Sequence, residues 1–135
     1  MALIWKKNYT TGVERLDEQH RHIFDLFNRL ESDIEADTCR PSVIATALRE
    51  IGAELVNHFS CEEDCMARFD CPMARKNQQE HEQLLRLYLD FSEAYRKQRS
   101  LTRLKAFHHE AEQWLLEHIC FVDIHLRSCV GPDGR

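Results

Sequence analysis

The feature that most constrains the fold of this chain is the spacing of its apolar residues, which recur at three- and four-residue steps in four long stretches. Steps of this kind place side chains along one face of an α-helix. We expect Asp17 to cap the first helix and Pro41 to stand in the first turn of the second. The stretches cover about 17–34, 41–69, 73–99 and 104–122.

Short breaks separate these stretches, and two of them contain a proline. Residues 37–41 end the first helix, Asp70-Cys71-Pro72 ends the second, and a break near Ser100 ends the third. No strand pattern of comparable length is present. Four amphipathic helices joined by short loops predict an all-α fold, an antiparallel up-down-up-down four-helix bundle.

Composition supports one compact domain and excludes several partners. The chain has 135 residues, 43% of them hydrophobic, and only four glycines and three prolines. We expect a single domain over 1–135, with a bundle at about 13–128 and an N-terminal arm at 1–12. Neither a signal-type run nor about 18 uninterrupted apolar residues occur, so we expect a cytoplasmic protein without a membrane partner. A net charge of −5 argues against nucleic acid.

Each predicted helix carries metal-ligand side chains on its apolar face. Such side chains are costly to bury unpaired, so their presence there needs an explanation. In an antiparallel bundle, the starts of odd helices adjoin the ends of even ones, which brings all these side chains into one layer. The set is His20, His58, Glu62, His81, His118 and Asp123.

Imidazoles and carboxylates together suit iron, manganese or zinc, and two carboxylates favour a carboxylate-bridged pair of metals. A lone inner histidine is usually a satisfied core residue, so the agreement of four helices carries this prediction. Asp123 lies five residues after His118, about 140° around an ideal helix. We therefore predict a π-bulge between them. The remaining histidines are predicted to lie on the surface: His22, His108, His109 and His125.

Several motifs in this order resemble the hemerythrin family, especially the single-domain bacteriohemerythrins. The resemblance covers residues 3–128. It implies two non-haem irons that bind dioxygen reversibly, one held by His20 and His58, the other by His81 and His118, with Glu62 and Asp123 bridging. The motifs are Trp5, Gly12-Val13, Asp17-Glu18-Gln19-His20, His58-Phe59-x-x-Glu62-Glu63, Pro72, His81 and His118-Ile119-x-x-x-Asp123.

One position departs from the family pattern. The third helix of the family carries HxxxH, whereas this chain has Asn77-x-x-x-His81. Asn77 could coordinate weakly, contact a bound water or leave the position open, and an amide oxygen is a poorer ligand than imidazole for these metals. We expect weaker or partial occupancy at that iron, so a site with only one iron remains an alternative.

Three functions follow from the resemblance and from this departure. The first is a dioxygen carrier, store or sensor, which is not an enzyme. The second is an iron-dependent oxidase or peroxidase acting on dioxygen, a related diatomic molecule or peroxide. The third is a modified or mononuclear site with a structural role. The sequence names no protein partner.

The six cysteines lack a CxxC pair, and we expect mostly reduced thiols. Cys39 is predicted at the far end of the bundle, whereas the others lie toward the metal end. Buried cysteine usually acts as a small hydrophobe. The alternative is redox sensing, with Cys65 or Cys120 also considered as metal ligands. The candidate redox thiols are Cys61, Cys65, Cys71 and Cys120.

Overall fold

The computed structural model describes residues 2–36 and 39–130, which contain four long helices, one short helix and no strand. This confirms the all-α prediction. Two 3-10 turns, at Lys7–Tyr9 and Asp123–His125, flank the bundle. The helices are α1 Glu14–Glu35, α2 Pro41–Arg68, α3 Ala74–Lys97, α4 Leu101–Phe121 and α5 Leu126–Val130.

Each long helix packs against the next one in the chain, and α1 also packs against α4. Short connections make neighbours antiparallel, so the four long helices close into the predicted up-down-up-down bundle. The middle of the bundle is apolar, with Phe27, Leu30, Ile44, Leu104 and Ala111 fully buried. None of the helices in the described residues is long and apolar enough to span a bilayer.

Local chemistry explains some of the helix ends. Pro41 stands in the first turn of α2, as predicted. Ser100 caps α4, because its hydroxyl oxygen accepts a hydrogen bond from the backbone N–H of Arg103 at 3.2 Å. After α2 the chain turns through Asp70, whose φ of 51° is left-handed. Residues 37 and 38, part of the predicted first break, lie outside the described residues.

The prediction that Asp17 caps α1 is wrong. The helix begins at Glu14, so Asp17 lies in its first turn. Its carboxylate accepts hydrogen bonds from the backbone N–H and the hydroxyl of Thr11, at 2.8 and 2.9 Å. Asp17 therefore holds the N-terminal arm against α1 instead of starting the helix.

The N-terminal arm runs along α1 toward one end of the bundle. The backbone of Leu3 exchanges two hydrogen bonds with the Asn28 amide, at 2.7 and 2.8 Å. Trp5 packs edge-on against Phe24, with ring centroids 5.6 Å apart, and lies 6.1 Å from the His20 ring. The arm thus covers the outside of the first predicted ligand.

The predicted π-bulge after His118 is wrong. The helix α4 ends at Phe121, where the N–H of Val122 donates to the carbonyl of His118 at 2.9 Å. Val122 then leaves helical geometry with φ −122° and ψ −60°, and a 3-10 turn begins at Asp123. The change of direction turns the Asp123 side chain inward, where it is 1% exposed. The observed turn therefore brings Asp123 into the site, as the predicted bulge would have done.

A second apolar cluster holds this turn in place. Val122 and Leu126 pack there with Leu16 of α1 and Met66 of α2. A disulfide between Cys71 and Cys129 also joins α5 to the α2–α3 connection. The segment that carries Asp123 is therefore fixed to the bundle by packing and by a covalent bond.

Candidate metal centre

The six predicted side chains meet in one buried layer at one end of the bundle. Each long helix contributes at least one of them, and Asp123 comes from the turn after α4. None is more than 3% exposed. The structure thus brings all six predicted side chains together in one layer.

Glu62 stands between two pairs of imidazoles. Its Oε2 lies 3.4 Å from Nε2 of His20 and 3.2 Å from Nε2 of His58. Its Oε1 lies 3.0 Å from Nε2 of His81 and 3.7 Å from Nε2 of His118. One carboxylate thus directs one oxygen at each pair.

Asp123 repeats this division on the other side of the layer. Its Oδ2 lies 3.1 Å from Nε2 of His20, and its Oδ1 lies 3.0 Å from Nε2 of His118. Two groups of four result, and in each group the ligand-type atoms lie within 4.8 Å of one another. The groups share both carboxylates: His20, His58, Glu62, Asp123; and Glu62, His81, His118, Asp123.

Three of the imidazoles are oriented by an oxygen on the preceding helix. Nδ1 of His58 lies 2.7 Å from Oε1 of Gln19, and Nδ1 of His81 lies 2.8 Å from Oε2 of Glu63. Nδ1 of His118 lies 2.7 Å from Oε1 of Glu80. Donation from Nδ1 leaves the Nε2 lone pair free to bind a metal at the centre.

Sequence reasoning missed Gln19, Glu63 and Glu80 as the hydrogen-bond acceptors that orient the imidazoles. Their positions in the sequence could have indicated this role. Each is the immediate neighbour of a predicted ligand, yet each supports a ligand on the following helix. Each therefore lies at the depth of the metal-ligand layer and faces the adjacent helix.

Aromatic rings cover two of the imidazoles. Phe59 stacks on His81 with centroids 3.8 Å apart and an interplanar angle of 7°. Trp114 stacks on His118 at 4.5 Å and 13°. These contacts restrict ring rotation and exclude water from one side of each imidazole.

The two buried carboxylates make the centre strongly attractive to positive charge. Desolvation lowers the pKa of His20, but the nearby carboxylates of Asp123 and Glu62 outweigh it and raise the pKa to about 9. Against the same desolvation, Asp123 and Glu62 raise the pKa of His118 to about 11. Burial and the charge of His20 lower the pKa of His58. Desolvation raises the pKa of Glu62, but the surrounding imidazoles hold it well below its usual range.

Several atoms in the layer make no hydrogen bond. They include Nε2 of His20, Oε2 of Glu62 and both carboxylate oxygens of Asp123. Buried polar atoms without partners are rare in native proteins and often mark an ion that belongs there. Inward nitrogen and oxygen donors around a negatively charged pocket fit a transition metal of the iron, manganese or zinc type.

Asn77 lies in the same layer, one helical turn before His81. Its side chain is fully buried, and its Oδ1 lies 2.9 Å from Nε2 of His118. Its Nδ2 has no partner. The amide therefore occupies the place that the HxxxH pattern predicts for a histidine, with its oxygen beside the second imidazole pair.

One histidine prediction is wrong. His108 is 5% exposed, and its Nε2 lies 2.8 Å from the carbonyl of Phe27, so it is a buried residue and not a surface one. His22, His109 and His125 are exposed, as predicted. None of these four histidines belongs to either group of the metal centre.

All six cysteines lie in the described residues. Most of them are free thiols, as expected, but Cys71 and Cys129 form a disulfide that was not predicted. No cysteine sulfur joins either group of metal-type ligands. The free cysteines are Cys39, Cys61, Cys65 and Cys120.

The fold and the site together define a helical-bundle metal protein whose centre uses imidazole and carboxylate ligands. Residues 11–126 match the family model described as hemerythrin HHE cation binding domain. The chain belongs to this family, and it is a metal-binding, hemerythrin-like protein.

Curated relatives agree with the family assignment. The chain is 20% identical to a bacteriohemerythrin of Stenotrophomonas maltophilia over 87% of its length and 74% of that protein. It is 24% identical to a bacteriohemerythrin of Pseudomonas aeruginosa over the same shares. It is 27% identical to a hemerythrin-like protein of Naegleria gruberi over 60% of this chain and 61% of that one. No solved structure gives a significant match.

Proposed function

We propose that this chain holds two non-haem irons in the buried layer and binds dioxygen reversibly, as a carrier, store or sensor. His20 and His58 hold one iron, and His81 and His118 hold the other, with Glu62 and Asp123 shared. The observation that supports this best is the division of both carboxylates, each with one oxygen toward each imidazole pair. Iron bound in this way supplies a redox-active centre to which a small diatomic ligand can add.

The residues around the layer favour binding over turnover. Burial and the stacked rings of Phe59 and Trp114 keep bulk water away from the imidazoles. The oxygens of Gln19, Glu63 and Glu80 fix the Nε2 atoms inward, so the ligands are oriented before metal arrives. Water exclusion protects a bound ligand from proton-dependent side reactions.

Asn77 sets the properties of the second iron in this proposal. Its amide oxygen would be a weak ligand or would leave a coordination position open, so this iron would be held less tightly than it would be with an imidazole at position 77. An open position there would also favour oxidation of a second substrate. An iron-dependent oxidase or peroxidase is therefore the alternative that the same residue supports.

Metal analysis combined with visible spectroscopy tests the proposal. Aerobic protein should contain two irons per chain and show the charge-transfer bands of a bridged ferric pair. The oxygenated form should return to the colourless ferrous form under vacuum. Glu62→Gln should lose the bands, whereas Asp64→Asn, at an exposed position two residues further along α2, should keep them. One iron or none would contradict the two-iron proposal, and irreversible bleaching with loss of a reductant would favour the oxidase.

The disulfide supports a second candidate, a thiol-linked redox sensor. It joins α5 to the α2–α3 connection and so closes the segment that carries Asp123. A dithiol reductant would open it by exchange, which transfers two electrons to the sulfurs and leaves Cys71 and Cys129 as thiols. Burial raises the pKa of the Cys65 and Cys120 thiols, which disfavours the reactive thiolate.

Thiol titration separates the sensor from the carrier. A sensor should lose two free thiols per chain when reduced, iron-loaded protein meets dioxygen, and should show a change in the iron spectrum when they are lost. Cys39→Ser, at the opposite end of α2, is the control. Unchanged thiol counts before and after dioxygen would remove the sensor candidate.

A further inference from the structure

A separate cluster of ligand-type side chains lies between α1 and α4. Glu31 comes from α1, whereas His108 and Glu112 are four residues apart on α4. Their ligand-type atoms lie within 4.8 Å of one another. His108 and Glu112 precede His118 by ten and six residues, which places them about 9–15 Å along α4 from the metal centre. The cluster is therefore distinct from that centre.

Glu112 is the unusual member of this cluster. It is 5% exposed, and its Oε2 makes no hydrogen bond. The nitrogen of His108 faces that oxygen but is 3.8 Å away, which is too far for a hydrogen bond. A buried carboxylate oxygen without a hydrogen bond is costly, because it has lost its water without gaining a donor. Burial also raises the pKa of Glu112, because the negative charge of its carboxylate is unfavourable there without a nearby positive charge.

His108 is held with a ring nitrogen toward the same space. Its Nε2 lies 2.8 Å from the backbone carbonyl of Phe27, one turn before Glu31 on α1. The ring centroid of Phe27 lies 5.8 Å from that of His108. The imidazole is thus already positioned between the two helices, and cation binding would replace its contact with the carbonyl.

We propose that Glu31, His108 and Glu112 form a second, independent site for one divalent cation such as Zn²⁺. One imidazole and two carboxylates suit zinc, and manganese or ferrous iron would be accepted with lower preference. Glu31 is only partly buried, so water can complete the coordination shell from its side. Binding would crosslink α1 to α4 through metal bonds.

Anomalous diffraction at the zinc edge tests the site directly. Crystals of iron-loaded protein soaked with Zn²⁺ should show a peak among the three side chains, resolved from any peak at the main centre. In solution, iron-loaded protein should bind one further Zn²⁺ per chain. Absence of a peak between α1 and α4 in the wild-type protein would overturn the proposal.

Matched variants keep the test independent of folding. Glu112→Gln preserves shape and removes a ligand, so the affinity for the additional Zn²⁺ should fall by more than about tenfold. Its iron content and visible spectrum should stay those of the wild type, because Glu112 does not contact the main centre. Glu110→Gln, an exposed neighbour on α4, should bind Zn²⁺ as the wild type does. Equal Zn²⁺ affinity in Glu112→Gln and wild type would also overturn it, as would a protonated Glu112 at saturating Zn²⁺.

Discussion

The imidazoles of His58, His81 and His118 each donate from Nδ1 to an oxygen 2.7–2.8 Å away. In every case the acceptor lies on the preceding helix of the bundle. Orientation of the ligands therefore depends on contacts between helices and not on the helix that carries the ligand. A residue outside the centre should accordingly change metal affinity without changing the ligand set.

Glu80→Ala removes the hydrogen-bond acceptor for Nδ1 of His118, so the ring is held less firmly, although Trp114 still stacks on it. We expect metal affinity to fall by about 10–100-fold, since losing the partner of a ligating histidine has effects of that size. Competition with a chelator, followed by iron counting, measures the change. Glu82→Ala on the exposed face of α3 is the control. Equal iron retention in both variants would show that the Glu80 contact does not support the centre.

Asn77→His restores the HxxxH spacing with His81. An added imidazole should bind the second iron more strongly than the amide does, and we expect about tenfold slower iron loss to a chelator. The oxygenated form should also last longer. Gln78→His adds an imidazole on the exposed side of α3 and should change neither property. A shorter oxygenated lifetime in Asn77→His would count against an open position at the second iron.

His108 shows where sequence reasoning at this scale ends. Its neighbour Phe107 is part of the apolar stripe, so the period predicts that His108 lies at the edge of that stripe. The side chain can be buried because its Nε2 donates a hydrogen bond to the backbone carbonyl of Phe27 on α1, at 2.8 Å. A backbone acceptor cannot be predicted from the types of side chain in the sequence, because it depends on how α1 packs against α4.

At the scale of elements, the turn after α4 and the short α5 determine where Asp123 lies. Cys129→Ser opens the disulfide that closes this segment onto the α2–α3 connection, across a sequence separation of 58 residues. Constraint of the unfolded chain by such a loop contributes about 2–4 kcal/mol to the free energy of unfolding. Urea unfolding of wild type and variant measures the loss.

Two comparisons decide whether the disulfide has that effect. Cys39→Ser should unfold like the wild type, because Cys39 is a free thiol before α2. A reductant should lower the stability of the wild type to that of Cys129→Ser and should leave the variant unchanged. If reductant lowers both proteins equally, the stabilisation comes from another source.

The elements themselves could be predicted because four apolar stripes and their proline breaks are local signals. The conformation of the chain at the ends of these helices could not be predicted in this way. Asp17 has the residue type of a cap, yet Thr11 in the arm uses its carboxylate and the helix starts at Glu14. The inward direction of Asp123 follows from how Val122 packs in the second apolar cluster, which depends on residues far away in sequence.

At the scale of the whole molecule, the bundle separates two tasks. The apolar middle supplies the burial that stabilises the fold, with side chains such as Phe27 and Leu104 fully enclosed. At one end, four imidazoles and two carboxylates replace apolar side chains, and their burial alone does not stabilise the folded state. The metal end should therefore be the part of the protein whose stability depends most on what it binds.

Removal of metal should lower the melting temperature for this reason. A metal present at about 1,000 times its dissociation constant stabilises the folded state by about 4 kcal/mol, if it does not bind the unfolded chain. For a domain of this size that corresponds to a loss on the order of 10 °C when a chelator is added. Calorimetry with and without chelator measures the shift. Glu62→Gln lacks the shared carboxylate, so its melting temperature should respond little to the chelator. A wild-type protein that melts at the same temperature in both conditions would mean that the ligand layer is stable without its metal.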